Sequence, residues 1–302
     1  MTSEMPVRPR LGDVVVGVDG SPSGRTAALW AAAEADLRGR ALRVVHAADT
    51  DRRAYWTDAE TLQAVREAGR DLLIGTADAV RERHPDLSVT RELSRREAVA
   101  GLREAAGDRG TIVVGNRGLG GFSALLLGSV GLGVAARAEV PVIVVRGGDD
   151  RPETGSVTAA VHDAADLDWL LVAAAEADAR KAALRIVSVW NVLAHIGTVA
   201  TMLDDLDGIA RRRVGEVKEL ADHVRLLYPR LIVGHHVETG TSTPGILIEA
   251  SARTDLLVMG RSRSRGRLGV GPALGRVAHA LIHHAQCPVE IVPAAAARDE
   301  GS

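Results

Sequence analysis

ALWAAAEADLRGRALRVVHA, residues 28–47, returns as LLVAAAEADARKAALRIVSV at residues 170–189, a constant offset of 142. Self-similarity at so long a period means that one structural unit has been written twice in the chain. The correspondence extends outward in the same order through both halves. TIVVGNRG at residues 111–118 matches LLVMGRSR at 256–263, and VPVIVV at 140–145 matches CPVEIV at 287–292. At 302 residues the chain is long enough for two domains, each able to bury its own core. The polar, turn-rich stretch GGDDRPETG, residues 147–155, reads as the linker. It divides the sequence into domains 1–148 and 149–302.

Each half alternates short apolar runs with helical stretches. In the first half strands are expected at residues 14–18, 42–47, 87–93, 111–114 and 142–145. Helices are expected at about 24–38, 59–83, 96–106 and just before 142. The strands are continuous runs of Val, Ile and Leu rather than alternating polar and apolar residues, the mark of a parallel sheet covered on both faces. The fold class is therefore α/β, two tandem doubly wound domains. In the second half a helix is expected to start at Thr243–Pro244, with the threonine as cap.

Composition narrows the function. A formal net charge of −2 lacks the basic excess of a nucleic-acid binder, and no apolar run approaches the length needed to cross a bilayer. One cysteine, Cys287, and an amino terminus without an apolar leader lead to the expectation of a reducing, cytoplasmic location. Nucleic acid and membrane are not expected partners.

The candidate site is written in two places. GNRGLGGFSALLLGS, residues 115–129, follows the fourth strand and leads into a helix, whose free N–H groups and dipole suit a phosphate chain. Glycine there allows positive φ or the close approach of a ligand to the backbone. VVVGVDGS, residues 14–21, ends the first strand at Asp19, a carboxylate able to accept hydrogen bonds from a nucleoside. With strand order 3-2-1-4-5, the first and fourth strands flank the switch point where such folds bind ligands.

V-G-V-D-G-S together with G-x2-G-x9-G-S, HA after the second strand and P-V-x-V-V at the end resembles the universal stress protein family over nearly the whole chain. The resemblance implies five parallel strands in order 3-2-1-4-5 in each domain. It also implies ATP, with Mg2+ held mainly by the phosphates. Asp19 and the backbone near Ala47 would hold the nucleoside, while Gly115, Gly118, Gly128, Ser129 and Val130 wrap the phosphates. Gly17, Asn116 and Arg117 would be wall residues. It further implies pairing of the last strands of the two domains, residues 140–145 and 287–292, and leaves a homodimer or a regulatory protein partner open.

The second half departs from this pattern. Asp19 aligns with His162 or Asp163, Gly118 with Arg263, and Gly275 is followed by Arg276 rather than serine. Its loop is two residues longer and rich in arginine, either a solvated basic loop or an attractor of anions. His279, His283, His284 and Cys287 near the last helix end invite a zinc assignment, but histidines there complement the helix dipole. No catalytic residue and no metal site of the protein's own are assigned. The resulting expectation is an ATP-binding, non-catalytic or weakly hydrolytic regulator of stress response. The alternatives are an ATP-using enzyme of the related nucleotide α-hydrolase fold and an interaction module that binds no nucleotide.

Overall fold

The computed structural model describes residues 8–116, 128–146, 152–191, 203–261 and 274–293. They form two compact units, one from the first half of the chain and one mainly from the second. The first unit contains β1 (Val14–Gly17), α1 (Pro22–Arg38), β2 (Leu42–Ala47), α2 (Thr50–Arg53) and α3 (Ala59–Arg83). β3 (Val89–Ser94), α4 (Ala98–Ala106), β4 (Thr111–Gly115), α5 (Ser129–Arg137) and β5 (Val142–Val145) complete it. The strand order is β3-β2-β1-β4-β5, with every pair parallel.

This topology follows from the apolar runs. Val14, Val16, Leu42, Val44, Ile112 and Ile143 are fully buried, as strands sandwiched between helical layers require. α1 packs with α3, and α4 with α5, so helices cover both faces of the sheet. At roughly 2 kcal/mol per buried aliphatic side chain, these strands carry much of the hydrophobic stabilisation.

The second unit repeats the plan with β6 (Ser156–Val161), a 3-10 turn (Ala164–Asp166), α6 (Leu167–Ala179), β7 (Ala183–Asn191) and α7 (Leu203–Leu227). β8 (Val233–Gly240), α8 (Thr243–Ser251), β9 (Leu256–Gly260), α9 (Arg276–His284) and β10 (Val289–Val292) follow. Its order is β10-β9-β6-β7-β8, again all parallel. α8 departs from expectation at its start. Ser242, not Thr243, is the cap, its hydroxyl accepting from the Gly245 N–H at 3.2 Å. A helical first residue cannot cap, because capping requires the extended backbone that Ser242 has.

Each unit holds a buried ion pair of its own. Arg38 Nε donates to Glu34 at 2.6 Å, with both side chains at most 3% exposed. A guanidinium nitrogen of Arg38 also reaches the Thr111 hydroxyl at 2.8 Å. In the second unit Arg180 pairs with the fully buried Glu176, at the same helical spacing and 142 residues on.

Candidate functional site

β1 ends at Gly17, and the next N–H, that of Val18, still bonds to the Val45 carbonyl at 2.9 Å. The chain then turns through Asp19, Gly20 and Ser21. Gly20 sits at φ +86°, a left-handed conformation that favours glycine. The half-buried Asp19 carboxylate accepts the Ser21 N–H at 3.0 Å. Ser21 in turn caps α1 by accepting the Gly24 N–H at 3.0 Å, ahead of Pro22 in the first turn. A β-carbon on Gly24 would stand 2.9 Å from Asp19 Oδ1, so this glycine lets the helix start lie against the carboxylate.

The end of β4 closes on the same turn. A β-carbon at Gly115 would meet Ser23 Oγ at 2.4 Å and its carbonyl oxygen at 2.7 Å, and the Ser23 hydroxyl donates to Asn116 Oδ1 at 2.8 Å. The Asn116 carbonyl accepts the Gly128 N–H at 3.3 Å, which brings the start of α5 back to β4. α1, α3 and α4 are capped by the side chains of Ser21, Asp58 and Glu97, but α5 has glycine at its N-cap and no side-chain cap. Its first bond to the cap is the Leu132 N–H to the Gly128 carbonyl at 3.2 Å, so the N–H groups of Ser129, Val130 and Gly131 precede the helical ladder. Ser129 and Val130 are exposed. This is a natural anion-binding surface.

β2 delivers the third edge. The His46 ring nitrogen Nδ1 lies 2.8 Å from the Val18 carbonyl, and the Ala48 N–H bonds to Ser94 at 2.9 Å. Ala47 thus lies at the carboxyl end of β2, beside the Asp19 turn. The structure places Gly17, Asp19, Ala47, Gly115, Asn116, Gly128, Ser129 and Val130 on the carboxyl ends of β1, β2 and β4 and the start of α5. Arg117 and Gly118 lie outside the described residues.

The glycines act differently from expectation. Neither Gly17, Gly115 nor Gly128 has positive φ. Gly115 is small because Ser23 occupies the space of a side chain, and Gly17 because Leu102 of α4 lies 2.9 Å from where its β-carbon would be. Sequence reading missed Ser23 altogether, although the serine beside Pro22 in D-G-S-P-S was its signal. A pocket of about 320 Å³ opens on the other flank of this turn, between α1 and α3, lined by Val18, Gly20, Ser21, Leu29, Asp71 and Thr76.

In the second unit, strand register settles the Asp19 counterpart. Val14 pairs with Leu42 and Val157 with Leu184, which puts His162 in the place of Asp19. The neighbouring carboxylates serve the main chain. Asp163 accepts the Ala165 N–H at 2.9 Å, while Asp166 accepts the His162 and Asp163 N–H groups in a capping box. The His162 carbonyl accepts from Arg213. Beside Gly260 the Trp169 indole replaces the serine of the first unit, its Nε1 2.4 Å from the site of a β-carbon. α9 keeps a glycine N-cap at Gly275 but begins with Arg276; Arg263 lies outside the described residues.

The His279 and His283 rings lie with centroids 4.4 Å apart and planes tilted by 38°, and among the described residues no group of three metal-ligating side chains is placed to hold an ion. No described helix is long and apolar enough to cross a membrane.

The comparisons with known proteins agree with one another. The model of the universal stress protein family matches residues 11–146 and again residues 155–293. A universal stress protein of Mycobacterium tuberculosis strain H37Rv is 30% identical over 301 residues, covering 94% of this chain and 97% of its own length. A second from the same strain is 31% identical over 293 residues, covering 91% and 95%. In fold the chain is similar to a universal stress protein crystal structure from Archaeoglobus fulgidus, with a TM-score of 0.68 at 18% identity, covering 93% of this chain and 98% of that one. With the family's pattern matched in each half and relatives spanning nearly the full length, the chain belongs to the universal stress protein family as a tandem, two-domain member.

Proposed function

We propose that this chain is a non-catalytic nucleotide-binding regulator of stress response that holds one ATP in its first unit. The observation that carries this reading is the convergence at the Ser23–Asn116 hydrogen bond. It ties the turn bearing the Asp19 carboxylate to the loop end that precedes the uncapped start of α5. A ligand with a hydrogen-bonding nucleoside at one end and a polyanion at the other fits that pair of features.

The residues present suit ATP. Asp19 would receive donors of the nucleoside, the backbone near Ala47 would lie along the base, and the first-turn amides of Ser129, Val130 and Gly131 would meet the phosphates. Gly128 offers no side chain to compete for those amides. Magnesium would be held by phosphate oxygens and water, as is usual for this ion. The described polar groups of the crevice are engaged in holding it together, Ser21 capping α1, Ser23 donating to Asn116, Asp19 accepting the Ser21 N–H and His46 lying against the Val18 carbonyl, which favours binding over turnover.

In the second unit Asp163 and Asp166 are committed to their own backbone. That supports an occupancy of one nucleotide per chain. Isothermal titration of the purified, nucleotide-stripped chain with ATP and Mg2+ tests the reading, together with mass spectrometry of any small molecule that copurifies. One site is expected, lost on Asp19→Ala; no binding and no copurifying nucleotide would leave an interaction module, and rapid product formation would favour an enzyme.

A further inference from the structure

The sheet of the second unit ends on an open strand. Among the described residues β8 is the outermost strand, paired with β7 on one side along its whole length, Val233 to Gly240. The Leu184 N–H donates to the Ile232 carbonyl at 2.8 Å, which fixes the phase of that ladder. In a parallel pair alternate residues turn their backbone groups to the neighbour, so Gly234, His236 and Glu238 face β7. Val233, His235, Val237 and Thr239 turn theirs away from it. Arg225 meets the Val233 carbonyl at 2.6 Å and closes the amino end of the edge. From the described residues no hydrogen bond reaches the outward backbone groups of His235, Val237 and Thr239.

Native edge strands carry devices against pairing, such as lysine, proline, a bulge or short length. β8 runs for eight residues in unbroken register and contains no lysine, arginine or proline. β3, the outer strand of the first unit, has six residues and carries Arg91 and Glu92, the latter paired with Arg43 at 3.4 Å.

The sequence of β8 is complementary to itself. A second copy laid antiparallel across a two-fold axis must set outward residues opposite outward residues. Centred on Val237, the axis pairs Val237 with itself and His235 with Thr239 of the second copy, each pair exchanging two backbone hydrogen bonds. His236 then falls opposite Glu238 of the second copy, twice by symmetry, at the closely spaced positions of the ladder. The two side chains share one face of the strand. Within the chain Nε2 of His236 lies 3.9 Å from Oε1 of Glu238, too far for a hydrogen bond, and the side chains are 67% and 38% exposed. Both are therefore available, and an imidazole N–H donates to a carboxylate in its neutral or charged form. Moving the axis to His236 or Glu238 would instead set imidazole on imidazole or carboxylate on carboxylate.

We infer that β8 is a homodimerisation edge, pairing antiparallel with β8 of a second copy in the register centred on Val237. Nucleotide binding plays no part in this pairing.

Sedimentation velocity of the full chain, over a series up to about 100 μM, reads the oligomeric state directly. The unmodified chain should pass from monomer to dimer as concentration rises. Thr239→Pro removes an outward N–H that β7 does not use, at an exposed residue, and should leave a folded monomer by circular dichroism and sedimentation. His236→Glu sets carboxylate against carboxylate in both cross-strand pairs and should weaken the dimer about tenfold or more. Adding Glu238→His restores the pairs with their members exchanged, and affinity should return to within about threefold of the unmodified chain. Should Thr239→Pro fail to fold, this loss and recovery decides alone. A chain that stays monomeric throughout, a dimer that survives in folded Thr239→Pro, or a His236→Glu effect that is absent or that Glu238→His does not correct overturns the inference.

Discussion

The Ser23 hydroxyl donates to Asn116 Oδ1 at 2.8 Å across 93 positions of sequence, and the same serine fills the space in front of Gly115. One residue therefore joins the start of α1 to the end of β4 by a hydrogen bond and by contact. Ser23→Ala keeps the contact and removes the bond. It should lower stability by about 1 kcal/mol, read from urea denaturation, and weaken ATP binding severalfold by loosening Asn116.

Gly115→Ala is the harsher change. The new methyl would lie 2.7 Å from the Ser23 carbonyl oxygen, a backbone atom that cannot rotate away. A loss of about 1–3 kcal/mol is expected, as for other overpacked positions. Thermal denaturation followed by circular dichroism measures it. Ser23→Gly in the same chain should not restore stability, since the backbone carbonyl remains.

Trp169 offers the opposite contrast. Its indole is buried with no acceptor for Nε1, against Gly260. Trp169→Phe removes a buried donor while keeping most of the ring, and should lie within about 1 kcal/mol of the parent. Trp169→Ala should cost about 3–5 kcal/mol through the cavity left behind. Denaturant titrations of the two variants decide whether the ring or its N–H matters.

Asp58 caps α3, accepting from the Thr61 N–H and hydroxyl, both at 2.8 Å. The amide and hydroxyl of Thr61 hold its carboxyl below the ordinary value of 3.8. Its folded-state pKa is depressed, so its stabilisation is present above the unfolded pKa and is lost as pH falls through the folded value. Asp58→Ala should therefore flatten part of the acid limb of a stability-against-pH curve, below about pH 4, and leave the slope near neutrality unaltered.

How much of this was legible in the sequence depends on the range of the forces involved. The strand at residues 42–47, the helix at 59–83 and the strand at 142–145 match the expected limits, because long apolar patterns record burial directly. α2 was not expected. A single turn of four residues, Thr50–Arg53, is too short to carry a period. The strand order was anticipated from the family resemblance, and the register then assigned His162 where sequence left His162 and Asp163 undecided.

The candidate site was legible as residue types but not as reasons. Gly115 was read as room for a ligand or for positive φ, whereas its contact is with Ser23, a residue whose partner lies almost a hundred positions away.

The ion pairs Glu34–Arg38 and Glu176–Arg180 are buried at the last turns of α1 and α6, and Arg38 reaches Thr111 at the amino end of β4, the opposite end of the strand from the candidate site. Sliding or rotating α1 or α6 by one residue would strand a charge in an apolar surrounding, so each helix is locked in phase with its sheet. Because the lock sits in the scaffold, the turns at the sheet's rim can be lengthened or rewritten without letting the layers slip. The second unit, with fourteen residues from Arg261 to Leu274 where the first has twelve from Asn116 to Leu127, is such a rewriting.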